Sequence, residues 1–334
     1  MVLFVQLHTF EAIPKVYRNR RRQTNEIPHM KKDNLEKWTS FLKGFLDNSF
    51  SYKPLANRPE AATFLVIKDL QKSIFRLVDL TYYSKTQLEF EWSFLKMHKN
   101  TNGFPSQKPL NFFDISETIK CVELSYVEGH HPRVNRKEDF FTYGSTVAKF
   151  HQFSKGLHYN DAPAWDIERV MNPFSNPILL DYFTEKQKSV AFHNIDKISQ
   201  KFKEYWQQNE WTGIIHSDTH KYNVIINDNK GYLIDFGECG KGILFWDLGV
   251  AIADTEMDYP KFAKHCRKNL LNGYLSVIPE AEQKIRNDIN FFTKMRALEI
   301  MTWPVSSWTE EYRLENADEA SRNIENCIAY LEKQ

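Results

Sequence analysis

The sequence predicts an α+β fold with two lobes, a small antiparallel β lobe followed by a larger, mainly helical lobe. About five strand-like segments and one long helix between them precede residue 128, whereas the rest of the chain is mostly helical with one small β insert. The chain passes between the two parts once, near Val127–Pro132, which indicates a hinge. Because ligands favour clefts between lobes, the functional site is expected there.

The predicted β lobe covers residues 31–128. Its first helix is capped by Asp33 or Asn34, and its apolar residues recur at three- and four-residue steps: Leu35, Trp38, Phe41, Leu42, Phe45 and Leu46. Three strands are predicted next, Phe50–Leu55, Ala62–Ile67 and Ser73–Asp79. A helix over Lys85–His98 follows them. A connection rich in Pro and Asn leads to a further strand pair, which ends at Cys121–Val127.

The predicted helical lobe covers residues 129–334. An amphipathic helix spans Lys137–Phe153, and one or two more helices fall within residues 178–208. The segment Thr212–Phe236 interrupts the helices because it has the pattern of a strand, a loop and a β-hairpin. The hairpin turn, Asp228-Asn229-Lys230-Gly231, contains Asn and Gly, which tolerate positive φ. Helices are predicted from there onward.

Composition narrows the functional classes. Apolar residues make up 42% of the 334 residues, enough for a core of ordinary size. Lys and Arg number 44 against 43 Asp and Glu, so the net charge of +1 gives no support for a nucleic-acid or membrane partner. No apolar run approaches the ~20 residues that span a bilayer, and a signal peptide is not expected. Four separated cysteines favour reduced thiols in a cytoplasmic protein.

Residues 1–30 differ from the rest of the chain. They carry a basic cluster, Arg18, Arg20, Arg21 and Arg22, and show no clear hydrophobic period. Such clusters can direct a protein to the nucleus or bind nucleic acid, but a solvated, disordered tail is the prediction here. Met30 opens a sequence more typical of a domain start, so residues 1–29 are hypothesised to lie outside the folded domain.

The strongest chemical signal is the segment His216-Ser217-Asp218-Thr219-His220-Lys221-Tyr222-Asn223. An apolar strand, the hairpin turn and Leu233-Ile234-Asp235-Phe236-Gly237 follow it. Because the hairpin folds back, Asp235 is expected near Asn223 and Asp218. Phosphoryl transfer needs such a cluster, in which oxygen ligands hold Mg²⁺ and a further carboxylate orients the attacking hydroxyl and accepts its proton.

These residues resemble the catalytic and metal loops of the aminoglycoside phosphotransferase and choline kinase family, which has a protein-kinase-like fold. The usual family form is close to HGDLHPGN followed by IDFG or IDFD. The resemblance implies a kinase that moves the γ-phosphate of ATP or GTP, with Mg²⁺, to a hydroxyl of a small acceptor such as an aminoglycoside, amino alcohol or sugar. It assigns Asp218 as the catalytic residue and Asn223 and Asp235 as the metal ligands.

The same resemblance assigns nucleotide-binding residues in the β lobe. Arg76 fits the strand position that contacts the α- and β-phosphates, and Glu91 fits its helix partner, with Glu89 as the competitor. The alternative is a surface ion pair of little energetic weight. Tyr126 and Glu128 belong to a segment that resembles the hinge, where backbone groups bind adenine.

Two further matches imply structural roles, and one expected feature is missing. Asp247 resembles the family residue that braces the catalytic loop, and His151 resembles a packing and hydrogen-bonding residue. Residues 53–63 contain no glycine, so neither a glycine-rich loop nor a Walker A motif is present there. The residues that cover the phosphates are therefore not predicted.

Three other interpretations are weighed beside the kinase. The HxDxH pattern of His216, Asp218 and His220 is also typical of metal-dependent hydrolases, although the other histidines are scattered. A protein kinase is the second, but the Arg-Asp pair and the Ala-Pro-Glu-like segment of that class are missing. The third is a non-catalytic binding protein with a kinase-like shape, against which the intact Asp218, Asn223 and Asp235 argue.

The acceptor is left open between antibiotic, amino-alcohol, amino-acid and sugar hydroxyls. Acidic and aromatic residues together suit a cationic acceptor, and two stretches combine them: Asp254, Glu256 and Asp258, then Trp303, Trp308, Glu310, Glu311 and Tyr312. Solvated acidic faces and core aromatics are the alternative. Glu238 is either an orienting residue for metal-bound water or an ordinary turn residue. The oligomeric state is not predicted.

Overall fold

The computed structural model describes residues 32–46, 49–58, 60–99, 104–208 and 210–333. The predicted tail, 1–30, lies outside the described residues. The strands are β1 Ser51–Asn57, β2 Ala61–Lys68, β3 Gln71–Asp79, β4 Pro109–Asp114, β5 Ile119–Ser125, β6 Thr212–Ile215, β7 Val224–Asn227, β8 Lys230–Leu233 and β9 Gly240–Ile243. The helices are α1 Lys32–Phe45, α2 Lys85–His98, α3 Lys137–Ser154, α4 Glu168–Met171, α5 Pro177–Leu180, α6 Glu185–Gln208, α7 Phe245–Asp258, α8 Ala263–Leu275, α9 Glu282–Ser306, α10 Glu310–Glu315 and α11 Ala317–Lys333.

The amino-terminal lobe is an antiparallel sheet of order β1-β2-β3-β5-β4 with a helix on each face. Side chains alternate along a strand. Phe75 and Leu77 of β3 therefore pack with Trp38 of α1, whereas Ile74 and Val78 pack in the cluster that contains the buried residues of α2. This alternation places Arg76, between them, on the α2 side of the sheet.

The larger lobe is built around helices α3, α7, α8 and α9. Helix α7 is apolar on nearly every side and is buried along most of its length, as expected for a central helix. Helices α3 and α8 cross closely at two glycines. A Cβ at Gly144 would lie 1.8 Å from the Leu270 carbonyl oxygen, and one at Gly273 would lie 1.9 Å from that of Phe141. The close crossing fixes α3 beneath the small β-sheets of this lobe.

The structure confirms the two-lobed α+β architecture and most predicted elements. Helix α2 has the predicted bounds, and the predicted strands of the first lobe agree to within about two residues at their ends. The hairpin turn differs in detail, because the positive φ values fall on Asp228 (48°) and Asn229 (61°) and not on the glycine. Gly231 has a packing role instead, since a Cβ there would lie 1.9 Å from Thr146 Oγ1.

Other sequence expectations have mixed outcomes. The four cysteines are buried free thiols. None of the helices that the structure describes is long and apolar enough to cross a membrane. Strand β5 ends at Ser125 and α3 begins at Lys137, but the division at residue 128 stays a prediction.

Candidate active site

The segment 216–223, which the sequence predicts to be catalytic, is a tight loop between β6 and the β7–β8 hairpin. It crosses from Ile215 to Val224, and β8 then returns the chain to Asp235. The Ile234 amide donates to the Asn223 carbonyl oxygen at 3.0 Å, which holds the two loops side by side. Ser217 and Asp235 have φ values of 71° and 61°, a left-handed conformation that costs free energy for residues other than glycine. The surrounding hydrogen bonds must therefore hold these turns in place.

Asp247, in the first turn of α7, supplies several of those hydrogen bonds. Its side chain is fully buried and accepts from the His216 amide at 2.9 Å and from the Ser217 amide at 2.8 Å. His151 donates to the same carboxylate at 3.0 Å through Nε2, and the Thr219 hydroxyl donates to the Asp247 carbonyl oxygen at 2.5 Å. The structure thus agrees with the structural roles predicted for Asp247 and His151.

Asp218 projects from this braced loop toward the cleft, and its carboxylate is 31% exposed. Arg296 Nη2 lies 3.3 Å from Oδ1, while His220 Nε2 and Asn223 Nδ2 lie 3.3 Å and 3.2 Å from Oδ2. Burial alone would raise the pKa of Asp218, but His220 and Arg296 lower the pKa well below its usual range. Burial likewise opposes protonation of His220, yet the Asp218 carboxylate raises the pKa of that imidazole.

Asn223 and Asp235 offer the oxygen atoms that a hard cation needs. The Asn223 amide nitrogen is used by Asp218, because it donates to the backbone oxygen at 2.8 Å and to Oδ2 at 3.2 Å. Its Oδ1 therefore points away from Asp218 and is available as a ligand. Asp235 is 57% exposed. An amide oxygen and a carboxylate on adjacent loops fit a divalent cation of the Mg²⁺ type.

Arg76 and Glu91 form a buried ion pair beside residues 234–239, which are called the metal loop because Asp235 is the predicted metal ligand. Arg76 Nη1 also donates to Asp235 Oδ1 at 2.9 Å, which links β3 to the metal loop. The competitor Glu89 faces solvent and lies 3.6 Å from Lys85 on its own helix. Burial alone would lower the pKa of Arg76, but Glu91 raises it. The guanidinium group is thus permanently charged although it is buried.

Two further residues of the first lobe hold the metal loop. The Tyr83 hydroxyl donates to the Gly237 carbonyl oxygen at 2.5 Å, and Gln87 Nε2 donates to that of Cys239 at 2.8 Å. Together with Arg76 they join Asp235 and the residues that follow it to β3, to α2 and to the segment between these two elements. Sequence analysis did not identify either residue, because a hydrogen bond to a backbone oxygen leaves no side-chain pattern at the acceptor.

Replacing Tyr83 by Phe is expected to lower the rate at subsaturating Mg²⁺ by about 5- to 10-fold and the free energy of unfolding by about 1 kcal/mol, the value of one hydrogen bond. The loss should appear mainly in the Mg²⁺ concentration needed for half-maximal rate, because the metal loop is loosened. Steady-state kinetics at varied Mg²⁺ measure this. Tyr82→Phe is the matched control, since Tyr82 is 62% exposed. Equal effects of the two substitutions would rule out a role for the Tyr83 hydroxyl.

The predicted hinge residues Tyr126 and Glu128 lie in the segment that follows β5. Lys72 of β3 lies 3.5 Å from the exposed Glu128 carboxylate and 5.0 Å from the centroid of the Tyr126 ring. These contacts join the segment to β3. They leave the proposed adenine contact of the backbone as a prediction.

The metal-dependent hydrolase interpretation is wrong on geometry. His216 is fully buried; its Nε2 donates to the Ile234 carbonyl oxygen at 2.9 Å and its Nδ1 accepts from the Asp218 amide at 3.3 Å. His220 uses Nδ1 to accept from the Tyr222 amide and Nε2 to contact Asp218. Neither imidazole has a free lone pair to bind zinc or iron. No cluster of three His, Cys, Asp or Glu residues suited to a metal occurs among the described residues.

The acidic residues Asp254 and Glu256 lie within α7 and contact different parts of the protein. Asp254 is buried and accepts from Arg296 Nε and Nη2 at 3.0 Å each, so it belongs to the cluster beside Asp218. Glu256 instead accepts from Arg267 at 2.6 Å and 2.8 Å, and from the Tyr330 hydroxyl. It thus stabilises the packing of α7 against α8 and α11.

Three charged residues at the site were not predicted from the sequence, namely Arg169, Arg296 and Glu299. Arg296 of α9 is 3% exposed and donates through Nη1 to Glu299 Oε2 at 2.6 Å. Arg169 of α4 forms an ion pair with Glu238, three residues after Asp235. The Trp303 ring centroid lies 5.2 Å from the Arg296 guanidinium carbon. Trp308 and Tyr312 contact each other farther along, at 5.1 Å between ring centroids.

Fold and site together define a kinase-like phosphotransferase, with a β lobe, a helical lobe and a carboxylate-amide cluster on the loops facing the cleft. The chain belongs to the phosphotransferase enzyme family (APH), whose family model matches residues 51–286. It is therefore an enzyme, a small-molecule kinase with an alcohol group as acceptor. The resemblance inferred from the sequence is confirmed.

Solved structures with the same fold include several small-molecule kinases. A microcompartment-associated aminopropanol kinase has a TM-score of 0.68 and 21% identity, over 90% of this chain and 97% of that chain. The amicoumacin kinase hAmiN has a TM-score of 0.63 and 15% identity, over 94% of this chain and 96% of that chain. A choline kinase from Cryptosporidium parvum has a TM-score of 0.62 and 11% identity, over 90% of this chain and 93% of that chain. Identities this low establish the shared fold alone. No curated protein matches the sequence.

Proposed function

We propose that this chain transfers the γ-phosphate of Mg²⁺-bound ATP or GTP to a hydroxyl of a small molecule held in the cleft. The observation that carries the proposal is the convergence of Asp218, Asn223, Asp235 and Arg76. Direct contacts link Asn223 to Asp218 and Arg76 to Asp235, and a backbone hydrogen bond joins the two loops. Phosphoryl transfer depends mainly on positioning and charge neutralisation, which this arrangement supports.

Asn223 and Asp235 would hold the metal through Oδ1 and the carboxylate. A bound Mg²⁺ supplies neutralisation of the negative charge on the phosphate oxygens. The exposed Asp235 carboxylate faces the cleft from a turn that Tyr83, Gln87 and Arg76 hold in place. The first lobe therefore fixes the position of one ligand and the second lobe that of the other.

Arg76 is proposed to bind the α- and β-phosphates. Its Nη2 pairs with Glu91, which fixes the direction of the guanidinium plane, and its Nη1 contacts Asp235. A planar guanidinium suits phosphate oxygens because it presents paired donors.

Backbone groups of the segment around Tyr126 and Glu128 would hold the purine. The cytoplasmic location, the absence of nucleic-acid and membrane partners and the lobe boundary at residue 128 stay predictions.

Asp218 is proposed to orient the acceptor hydroxyl for attack. Its lowered pKa makes it a weak base, so its main contribution is a hydrogen bond that aligns the hydroxyl with the γ-phosphorus. A loose transition state requires little proton removal before the bond to phosphorus forms. The proton passes to the carboxylate late, as the phosphate ester forms.

The proposal is tested by measuring ADP or GDP release from the Mg²⁺-nucleotide across a panel of hydroxyl compounds, with phosphorus NMR of the products. Release should require both an acceptor and Mg²⁺. Asp235→Asn should weaken the apparent affinity for Mg²⁺ by at least the ~10- to 100-fold that loss of an outer-shell partner costs.

Asp161→Asn serves as the control, because Asp161 is an exposed loop residue. Acceptor-dependent release that survives chelation of all divalent cations would contradict the metal assignment. Absence of release with every acceptor and both nucleotides, together with no thermal shift on adding nucleotide, would restore the binding-protein interpretation.

A further inference from the structure

Negative charge exceeds positive charge around the acceptor side of Asp218. Four carboxylates lie in this cluster: Asp218, Asp254, Glu299 and Glu238. They meet two guanidinium groups and one imidazole, those of Arg296, Arg169 and His220. Even with His220 protonated, one negative charge is left without a partner. Two of the four carboxylates, those of Asp254 and Glu299, are buried. An uncompensated buried carboxylate is costly, and a bound cation relieves that cost.

Glu299 is the carboxylate that has spare binding capacity. It is 8% exposed and accepts from Arg296 Nη1 through Oε2 at 2.6 Å. Within the described part of the chain, no further hydrogen bond engages its other oxygen, Oε1, and that atom is not among the fully buried polar atoms that lack a partner. Burial raises the pKa of Glu299 despite the two nearby guanidinium groups of Arg296 and Arg169. Asp254, by contrast, uses both of its oxygens on Arg296.

The distance between Glu299 and Asp218 limits the size of an occupant. Arg296 bridges the two, with Nη2 3.3 Å from Asp218 Oδ1 and Nη1 2.6 Å from Glu299 Oε2. Because both nitrogens belong to one planar guanidinium group, the two carboxylates lie within roughly 8 Å of each other. A molecule whose amine and hydroxyl are separated by about two to four carbon atoms can reach both. Trp303, one turn beyond Glu299 on α9, lies beside the cluster.

We propose that Glu299 binds the ammonium group of the acceptor through Oε1, and that the acceptor is a short amino alcohol whose hydroxyl contacts Asp218. This inference rests on the proposed kinase function and specifies its acceptor. Arg296 fixes the two carboxylates relative to each other, so the ammonium position sets the hydroxyl position. The acidic residue that recognises the amine is thus Glu299, and Glu310, which the sequence suggested, is exposed on α10.

The test compares amines with diols of the same length: 2-aminoethanol with ethylene glycol, and 3-amino-1-propanol with 1,3-propanediol. The wild-type enzyme should favour the amine by at least 10-fold in kcat/KM. Glu299→Gln retains an oxygen for Arg296 but removes the charge. It should raise the KM for the amine about 10- to 100-fold, which corresponds to about 1.4–2.7 kcal/mol. The KM for the diol should stay nearly unchanged. Glu310→Gln is the matched control.

A purely structural role for Glu299 would lower activity toward amine and diol equally, and this result would overturn the proposal. A wild-type preference for diols or for acidic acceptors would overturn it without any variant. Failure of all four compounds while another acceptor supports ADP release would also reject the inference and leave the kinase function intact. Loss of the kinase function itself would appear instead as no release with any acceptor.

Discussion

Asp218→Asn is expected to lower kcat by about 10³-fold, inside the ~10²–10⁴ range that a positioned acid-base group contributes. The amide keeps the size of the carboxylate but carries no charge, so it holds the acceptor hydroxyl less firmly and takes no proton from it. The KM for nucleotide should change little, because the backbone oxygen of residue 218 still accepts from Asn223 Nδ2 and keeps that proposed metal ligand in place. Steady-state ADP release with the preferred acceptor measures both constants.

The pKa of Asp218 shapes the expected pH profile. His220 and Arg296 lower the pKa despite burial, so the carboxylate is ionised in the folded protein throughout the neutral range. The stability that ionised Asp218 contributes is therefore present above its unfolded-state pKa and is lost only as pH falls toward the lowered value. Asp218→Asn removes this contribution, and a modest fall in melting temperature should accompany the loss of activity. A variant that retains more than a tenth of the wild-type kcat would show that another group orients the hydroxyl.

The parts of the site that the sequence predicted are those that local pattern can encode. Asp218 and Asn223 lie on one eight-residue loop, and the β7–β8 hairpin returns Asp235 to them within a short stretch of chain. The family resemblance assigned Arg76 and Glu91, and the alternation along β3 is consistent with the ion pair that they form, since it turns Arg76 toward α2. For these residues, the element that carries each side chain also fixes its direction.

The residues that the sequence did not predict reach the site through tertiary packing. Arg296 is 78 positions from Asp218, and its helix, α9, carries charges at spacings that a solvated helix face would also show. Nothing in that local pattern distinguishes Arg296 and Glu299 from surface residues such as Arg286, which pairs with Glu282 in solvent. Recognition of the pair requires the packing of α7 against α9, which brings Asp254 to Arg296.

Strand β9 was missed for a different reason. Its four residues, Gly240–Ile243, include two glycines, which disfavour a strand on propensity. The strand forms because it pairs with β6, and its glycines allow close approach. A Cβ at Gly242 would lie 2.4 Å from Ile215 Cδ1, and one at Gly240 would lie 2.3 Å from the Pro163 carbonyl oxygen. Here a tertiary requirement for small residues overrides intrinsic preference.

Asp247→Asn is expected to lower the free energy of unfolding by about 2–4 kcal/mol, since it leaves at least one buried donor unsatisfied at ~1–3 kcal/mol each. Both carboxylate oxygens of Asp247 accept, Oδ1 from the Ser217 amide and Oδ2 from the His216 amide and His151. An amide nitrogen in either position places its hydrogens against a donor. Differential scanning calorimetry should show a melting temperature lower by roughly 3–6 °C.

The same substitution should reduce kcat well beyond what partial unfolding explains. Ser217 has a φ of 71°, and the two hydrogen bonds to Asp247 hold that strained turn immediately before Asp218. When one is lost, the turn relaxes and the carboxylate moves away from the acceptor hydroxyl, where a shift of about 1 Å can cost ~10²-fold. Activity is compared at a temperature where calorimetry shows the variant to be folded, with Asp161→Asn as the exposed control. A variant that melts with the wild type and turns over at the same rate would show that the loop holds its conformation without this brace.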